Sequence, residues 1–329
     1  MAIGLLTTGG TIACAPEENG GALRPVLGPA ELLASIPDLP GEDVVARDLA
    51  RVSGWDVTPA TMLEVARTAS ELLADEQIAG VVITHGTDTI EDTAFVCDLL
   101  IASERPVVLT GAMRALSEPR TDAARNLASA FRCAAAPELT GSGAVVVMDY
   151  EIHAARWARK ADSRHPAALR SPGRGPIGSI EDGRIRMAGD PLERVVFPIP
   201  DQLPVVPIVK VYPGVPERAI SATLELTGAR AIVLEGSGAG NLPASAVPEV
   251  RTAIESGVTV AVATWVFAGG THPTYGGPGG GATLSAMGAV HAGALTARRA
   301  QLLLGVLLGL GVAGEGLGRA FANATARLD

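Results

Sequence analysis

Short runs rich in apolar residues recur along the chain, and most of them stop at a cluster of glycine and polar residues before a stretch of helical periodicity begins. Ile3 to Thr8, Val44 to Val52, Gly80 to Thr84, Pro106 to Thr110 and Gly143 to Met148 are the first five. All five read as strands, and Gly80 to Thr84, apolar and β-branched, reads as one fully buried in a parallel sheet. Between them, Pro29 to Ile36, the segment that opens at Thr58-Pro59 and runs to about Ala74, and Ile90 to Ala102 read as helices. Glu91 and Asp92 fall in the first turn of the last of these, where acids suit the dipole. Asp122 and Asn126 lie one turn apart at the start of a further helix. Strands alternating with helices up to about residue 150 predict an α/β fold, a doubly wound, mainly parallel sheet with helices on both faces.

Past that point the pattern loosens. A polar, basic stretch runs from His153 to Asp162, and Glu181-Asp182-Gly183 reads as the tip of a hairpin. Five prolines between Pro191 and Pro207 mark a linker. Strands near Ile208–Val211, Ala231–Glu235 and Val258–Ala263 then repeat the α/β pattern on a smaller scale. The expected organisation is a larger N-terminal catalytic domain over 1–190, a linker over 191–207 and a smaller C-terminal α/β domain over 208–329. Ile3 to Leu6 is too short for a signal peptide, and Leu302 to Val312 falls short of the ~20 apolar residues that span a bilayer, so both read as buried elements.

Composition narrows the chemistry. A hydrophobic content of 47% supplies a large core, and few aromatics beside 39 glycines imply close packing through small side chains. The net charge of −9, without long charged runs, argues against nucleic acid or an anionic membrane as partner. Cys14, Cys97 and Cys133 are odd in number and widely spaced, and the five histidines form no zinc pattern. Reduced cysteines in a cytoplasmic enzyme, with no metal and no cofactor, are therefore expected.

The stretch Gly80-Val-Val-Ile-Thr-His-Gly-Thr-Asp-Thr-Ile-Glu-Asp-Thr93 is the densest candidate site. Its polar half lies where open α/β sheets bind ligands, outside the carboxyl end of a strand and before a helix. A second threonine-bearing loop, Gly9-Gly10-Thr11-Ile12-Ala13, follows the first strand. A threonine hydroxyl is a poor nucleophile until a neighbouring base takes its proton, and a lysine can serve when its own proton is held elsewhere, for example by a carboxylate. Thr87, Lys160 and Asp162 could form that relay. His85, next to a buried strand, is expected to satisfy core hydrogen bonds. Trp55, at the exit of the second strand, either lines a pocket or caps the core.

Thr8-Gly-Gly-Thr-Ile-Ala13 and Ile83-Thr-His-Gly-Thr-Asp-Thr89 resemble the two signature motifs of the bacterial-type L-asparaginases, including the glutaminase-asparaginases. Gly111-Ala-Met-Arg114, Asp122 with Asn126, Lys160 and Gly236-Ser-Gly-Ala-Gly-Asn241 follow in that family's order. The resemblance covers nearly the whole chain. It implies a threonine-dependent amidohydrolase that forms an acyl-enzyme, releases ammonia and hydrolyses the ester, with a small amide as substrate. It further implies Thr11 as primary nucleophile, Thr87 as the second threonine, Asp88 as the aspartate that also holds the substrate amino group, and Lys160 as activator of Thr87. Backbone N–H groups near Thr11 and Gly86, with Gly10 beside them, would form the oxyanion hole, and the Ala112 carbonyl would accept the substrate amide N–H. A homo-oligomer, dimer or tetramer, is implied as well.

Departures from the family pattern bear on the substrate. No tyrosine lies between Thr11 and Ile36, where the family's flexible loop carries one. The serine that grips the substrate carboxylate falls at Gly54, or at Ser53 after a one-position slip, and the glutamine after it at Trp55. Only Gly, Pro and Ala occur near residues 277–282, where a neighbouring subunit's glutamate would stand. The expected alternative is the same chemistry on another amide, imide or lactam. A rival of another class, a nucleotide-binding or non-catalytic binding protein, rests on Gly236-Ser-Gly-Ala-Gly240, which lacks the dinucleotide spacing.

Overall fold

The computed structural model describes residues 1–17, 21–36, 43–189 and 193–328. Two compact units follow one another along the chain, Met1–Ile199 and Pro200–Asp329. In the first, the strands are β1 (Ala2–Gly9), β2 (Cys14–Pro16), β3 (Leu23–Pro25), β4 (Val44–Val52), β5 (Ile78–Thr84), β6 (Val107–Thr110), β7 (Ala144–Met148), β8 (Glu151–Ala154), β9 (Arg159–Lys160), β10 (Leu169–Arg170), β11 (Gly178–Glu181) and β12 (Arg184–Met187). Its α-helices are α1 (Pro29–Ala34), α2 (Pro59–Leu73), α3 (Ile90–Leu100) and α4 (Ala123–Ala134).

Eight of these strands make one sheet in the order β12-β11-β8-β7-β6-β5-β1-β4. From β4 to β7 all neighbours are parallel, and β8, β11 and β12 extend the sheet antiparallel. The α/β, mainly parallel reading therefore describes the protein. The hairpin at Asp182-Gly183 forms as expected, because both residues adopt positive φ and turn the chain in two residues. Its strands join the large sheet, a destination that their sequence does not encode.

Burial explains the element types. Val81, Val82 and Ile83 on β5, and Val145, Val146 and Val147 on β7, are fully buried on both faces, as crossover helices require. Helix α2 starts where the Thr58 hydroxyl accepts from the Thr61 N–H at 3.2 Å, with Pro59 in its first turn, and it buries Met62, Val65, Ala66 and Ala69. Helix α3 is buried all round. Its Asp98 is offset by two guanidinium groups, Arg156 at 3.4 Å and Arg194 at 3.5 Å.

Between residues 193 and 207 there is no helix or strand, and 191–192 of the expected linker lie outside the described residues. The second unit holds β13 (Ile208–Lys210), β14 (Ala231–Gly236), β15 (Thr259–Thr264) and β16 (Val290–His291), parallel neighbours in that order. Helices α5 (Ala219–Thr227), α6 (Val247–Glu255), α7 (Gly281–Ala286), α8 (Ala297–Gly309) and α9 (Glu315–Leu328) accompany them. Most of the apolar Leu302–Val312 run lies on α8, where Leu303, Leu304 and Val306 are fully buried. Among the described residues no helix is long and apolar enough to cross a membrane.

Candidate active site

The chain leaves β1 for β4 on one side and returns through α2 to β5 on the other, so sheet growth reverses at β1. Such a switch point opens a crevice at the strands' carboxyl ends. A cavity of about 220 Å³ occupies it, lined by residues from four segments. Gly10, Thr11 and Cys14 come from the chain after β1; Ser53, Gly54 and Trp55 from the exit of β4; Gly86, Thr87 and Asp88 from the exit of β5; and Leu23 from β3. A larger groove of about 670 Å³ elsewhere holds no comparable set, and its Arg105 is spent on the carbonyls of Leu73, Asp75 and Ile78.

Glycine lets the loops meet backbone to backbone. Gly10 has φ +73°, and a Cβ there would overlap Gly86 Cα and N. A Cβ on Gly54 would lie 3.2 Å from Gly86 Cα, tight but reachable with small shifts. The Thr89 hydroxyl donates to the Gly54 carbonyl at 2.6 Å and locks the second and third loops together.

Lys160 enters this crevice from β9. Its Nζ donates to Thr87 Oγ1 at 2.8 Å and to Asp88 Oδ1 at 2.7 Å. The carboxylate that holds the lysine is therefore Asp88. Asp162, the partner expected from spacing, is exposed and accepts instead from the backbone N–H groups of Arg164 and His165, which lower its pKa. Its proximity to Lys160 in sequence was misleading because the chain turns away immediately after β9. The Thr87 hydroxyl also lies 3.5 Å from Met113 Sδ.

Ala112, expected to offer its carbonyl, is fully buried and outside the cavity lining. Its loop is braced from α4: Asp122 accepts from the N–H groups of Met113 (3.0 Å) and Arg114 (2.9 Å), and Asn126 donates to the Gly111 carbonyl at 3.0 Å. Trp55 lines the cavity and is 74% exposed, so it stands at the rim and caps no core. Leu23 and Cys14 were not singled out from sequence. Leu23 reaches the cavity because β2 and β3 pair as an antiparallel hairpin, which a Gly-, Pro- and acid-rich segment does not announce. Pro16 to Leu27, whose glycines, prolines and acids predict a mobile surface loop or lid, includes β3, and its residues 18–20 lie outside the described residues.

His85 has the structural role expected of it. It is wholly buried, with Nδ1 2.9 Å from the Gly86 carbonyl and Nε2 2.8 Å from the Thr93 hydroxyl. A carbonyl only accepts, so Nδ1 carries the hydrogen and Nε2 accepts from Thr93. Burial lowers its pKa from 6.5 to about 4, against the opposing effect of the Gly86 carbonyl. Between those values the unfolded chain binds a proton here that the folded chain refuses, so this position loses stability as pH falls from 6.5 towards 4. The slope is about 1.4 kcal/mol per pH unit at most. Chemical unfolding of wild type and His85→Gln across that window is expected to show a shallower pH dependence in the variant; equal slopes would exclude the assignment.

Family models match both units: "Asparaginase, N-terminal" over residues 2–193 and "Glutaminase/Asparaginase C-terminal domain" over 205–321. An L-asparaginase of Bacillus licheniformis is 32% identical over 308 residues, covering 93% of this chain and 95% of that protein. A "Probable L-asparaginase" of Deinococcus radiodurans is 36% identical over 331 residues, covering 98% and 97%. Among solved structures, a "Probable Cytoplasmic L-asparaginase" from Campylobacter jejuni superposes with a TM-score of 0.89 at 27% identity, over 99% of both chains.

Proposed function

Since the chain belongs to the asparaginase family, a family of amidohydrolases acting on linear amides, we propose that it hydrolyses the side-chain amide of L-asparagine through an acyl-enzyme formed on a threonine. The observation that carries this reading is the placement of Lys160 Nζ on both Thr87 Oγ1 and Asp88 Oδ1, beside a cavity that Thr11 also lines.

Once its ammonium has given up a proton, Nζ can accept the threonine hydroxyl proton. The oxygen then bonds the amide carbon, and the carbonyl electrons move onto oxygen, where loop N–H groups near Thr11 and Gly86 would stabilise them. On collapse the C–N bond breaks, the lysine returns a proton to the leaving nitrogen, and ammonia departs. Water repeats the sequence on the ester and frees aspartate. The hydrogen bond from Lys160 supports it as the base for Thr87, while the family resemblance implies the first attack by Thr11; single-turnover analysis of the two variants separates these roles. Ammonia release from L-asparagine tests the whole reading, and silence on it and on every other amide removes it. The proposal also carries the cytoplasmic placement in the Campylobacter jejuni protein's description and a homo-oligomer, read by fractionation and light scattering.

A second reading is favoured by one observation: the cavity rim is apolar, with Trp55 74% and Leu23 42% exposed, and glycine stands at position 54. A site with few groups for an amino acid's carboxylate gains little by demanding it. The same chemistry on a larger or less charged amide follows. Trp55→Ala is then expected to lower kcat/KM on aryl- or alkyl-substituted amides by about 10-fold, the worth of a lost aromatic contact, while changing that on L-asparagine little. The opposite ordering supports asparagine as the selected substrate.

A further inference from the structure

Lys160 stands on a strand of two residues. That strand, β9, pairs with β10 in a sheet of its own, separate from the eight-stranded sheet that carries Thr87 and Asp88. A lysine side chain has four rotatable bonds, so holding Nζ 2.8 Å from Thr87 Oγ1 depends on where its main chain is fixed. The large sheet leads into it through a short turn after β8, in which the Trp157 and Ala158 N–H groups donate to the Ala154 carbonyl at 2.9 Å.

Two further tethers hold it. At the β10 end, Ser171 lies 3.0 Å from Nδ1 of the buried His153, which belongs to β8 of the large sheet. At the β9 end, Glu91 Oε2 accepts the Lys160 backbone N–H at 2.7 Å. Glu91 lies in the first turn of α3, only four residues after Thr87. The main chain of Lys160 and its Nζ are therefore both docked on one short segment, Thr87 to Glu91, whose geometry is set by the turn into that helix.

We propose that Glu91 is a positioning residue for catalysis: by accepting the Lys160 main-chain N–H it sets the register of the lysine against the nucleophile's own loop, and so the reach of Nζ to Thr87. This rests on the reading of Lys160 as the base that activates Thr87. The part of the carboxylate that matters for this role is the accepting oxygen, not the charge. A glutamine can present its amide oxygen to the same N–H, whereas alanine cannot.

The test uses the full-length enzyme with four variants, Glu91→Ala, Glu91→Gln, Ser171→Ala and Lys160→Ala, each checked by thermal unfolding and assayed for ammonia release. Glu91→Ala is expected to lower kcat by about 10- to 100-fold with KM nearly unchanged, the cost of an ångström-scale misplacement. Glu91→Gln should recover most of that loss. Ser171→Ala loosens the β10 end without touching the Lys160 N–H and should lower the unfolding temperature more than kcat. The proposal is overturned if Glu91→Ala keeps wild-type kcat, if Glu91→Gln is as poor as Glu91→Ala, if Ser171→Ala loses as much kcat as Glu91→Ala, or if the loss appears in KM alone. Lys160→Ala separates the two levels: if it stays active, the base assignment itself fails, and if it is inactive while Glu91→Ala is not, only the positioning role fails.

Discussion

Replacing Lys160 with alanine is expected to cut ammonia release by about 10²- to 10⁴-fold, the usual worth of a positioned proton-transfer group. Thr87→Ala should lose as much. Thr87, Lys160 and Asp88 are joined by hydrogen bonds of 2.8 and 2.7 Å, and on the proposed mechanism they act as one proton-moving unit. Once a member is gone, removing another takes away little more, and the Thr87→Ala/Lys160→Ala double variant is expected to match the poorer single variant. Losses that multiply in the double variant would mean that the two residues serve separate steps. Activity within a few-fold of wild type in Lys160→Ala would remove the lysine as base. Thr11→Ala, measured alongside, asks whether the other threonine belongs to the same unit or to a different step.

The second large effect concerns a residue without a side chain. Gly10→Ala is expected to destabilise the enzyme by about 2–4 kcal/mol, adding the cost of positive φ to that of an overpacked contact. The new methyl would drive into Gly86 Cα and N, so the loops carrying Thr11 and Thr87 must part and activity should vanish even in the folded fraction. Gly54→Ala is the control, because its methyl would stop 3.2 Å from Gly86 Cα and asks for shifts of only a few tenths of an ångström. Equal unfolding midpoints for the two variants would show that the Gly10–Gly86 approach is not the constraint described.

The sequence reveals what is local and misses what is assembled at a distance. Buried β-branched runs and caps such as Thr58-Pro59 announce their own strands and helices, so the parallel core and its order of elements were readable. The two threonine loops were readable for the same reason, since each ends a strand. Lys160 could be picked out as the lysine of a polar segment, but its carboxylate partner could not, because Asp88 is 72 residues away in sequence while Asp162 is two. Glu91 looked like a dipole-complementing acid, and its bond to a main-chain N–H 69 residues away has no local signature. Leu23 reaches the cavity through a hairpin whose composition reads as loop, and β11 and β12 gave no sign that they would continue the large sheet.

Where Gly10, Gly54 and Gly86 converge, part of the cavity lining is bare backbone, beside the side chains of Thr11, Thr87 and Asp88, while Leu23 and Trp55 are exposed. A peptide group is the same whatever residue carries it, so point mutation has little to alter in that bare stretch except by replacing the glycines themselves. Mutation at positions 23 and 55 changes exposed side chains of the lining. The close backbone approach thereby holds the loops that carry Thr11 and Thr87 at a fixed spacing, while the exposed side chains at the opening can change without disturbing it.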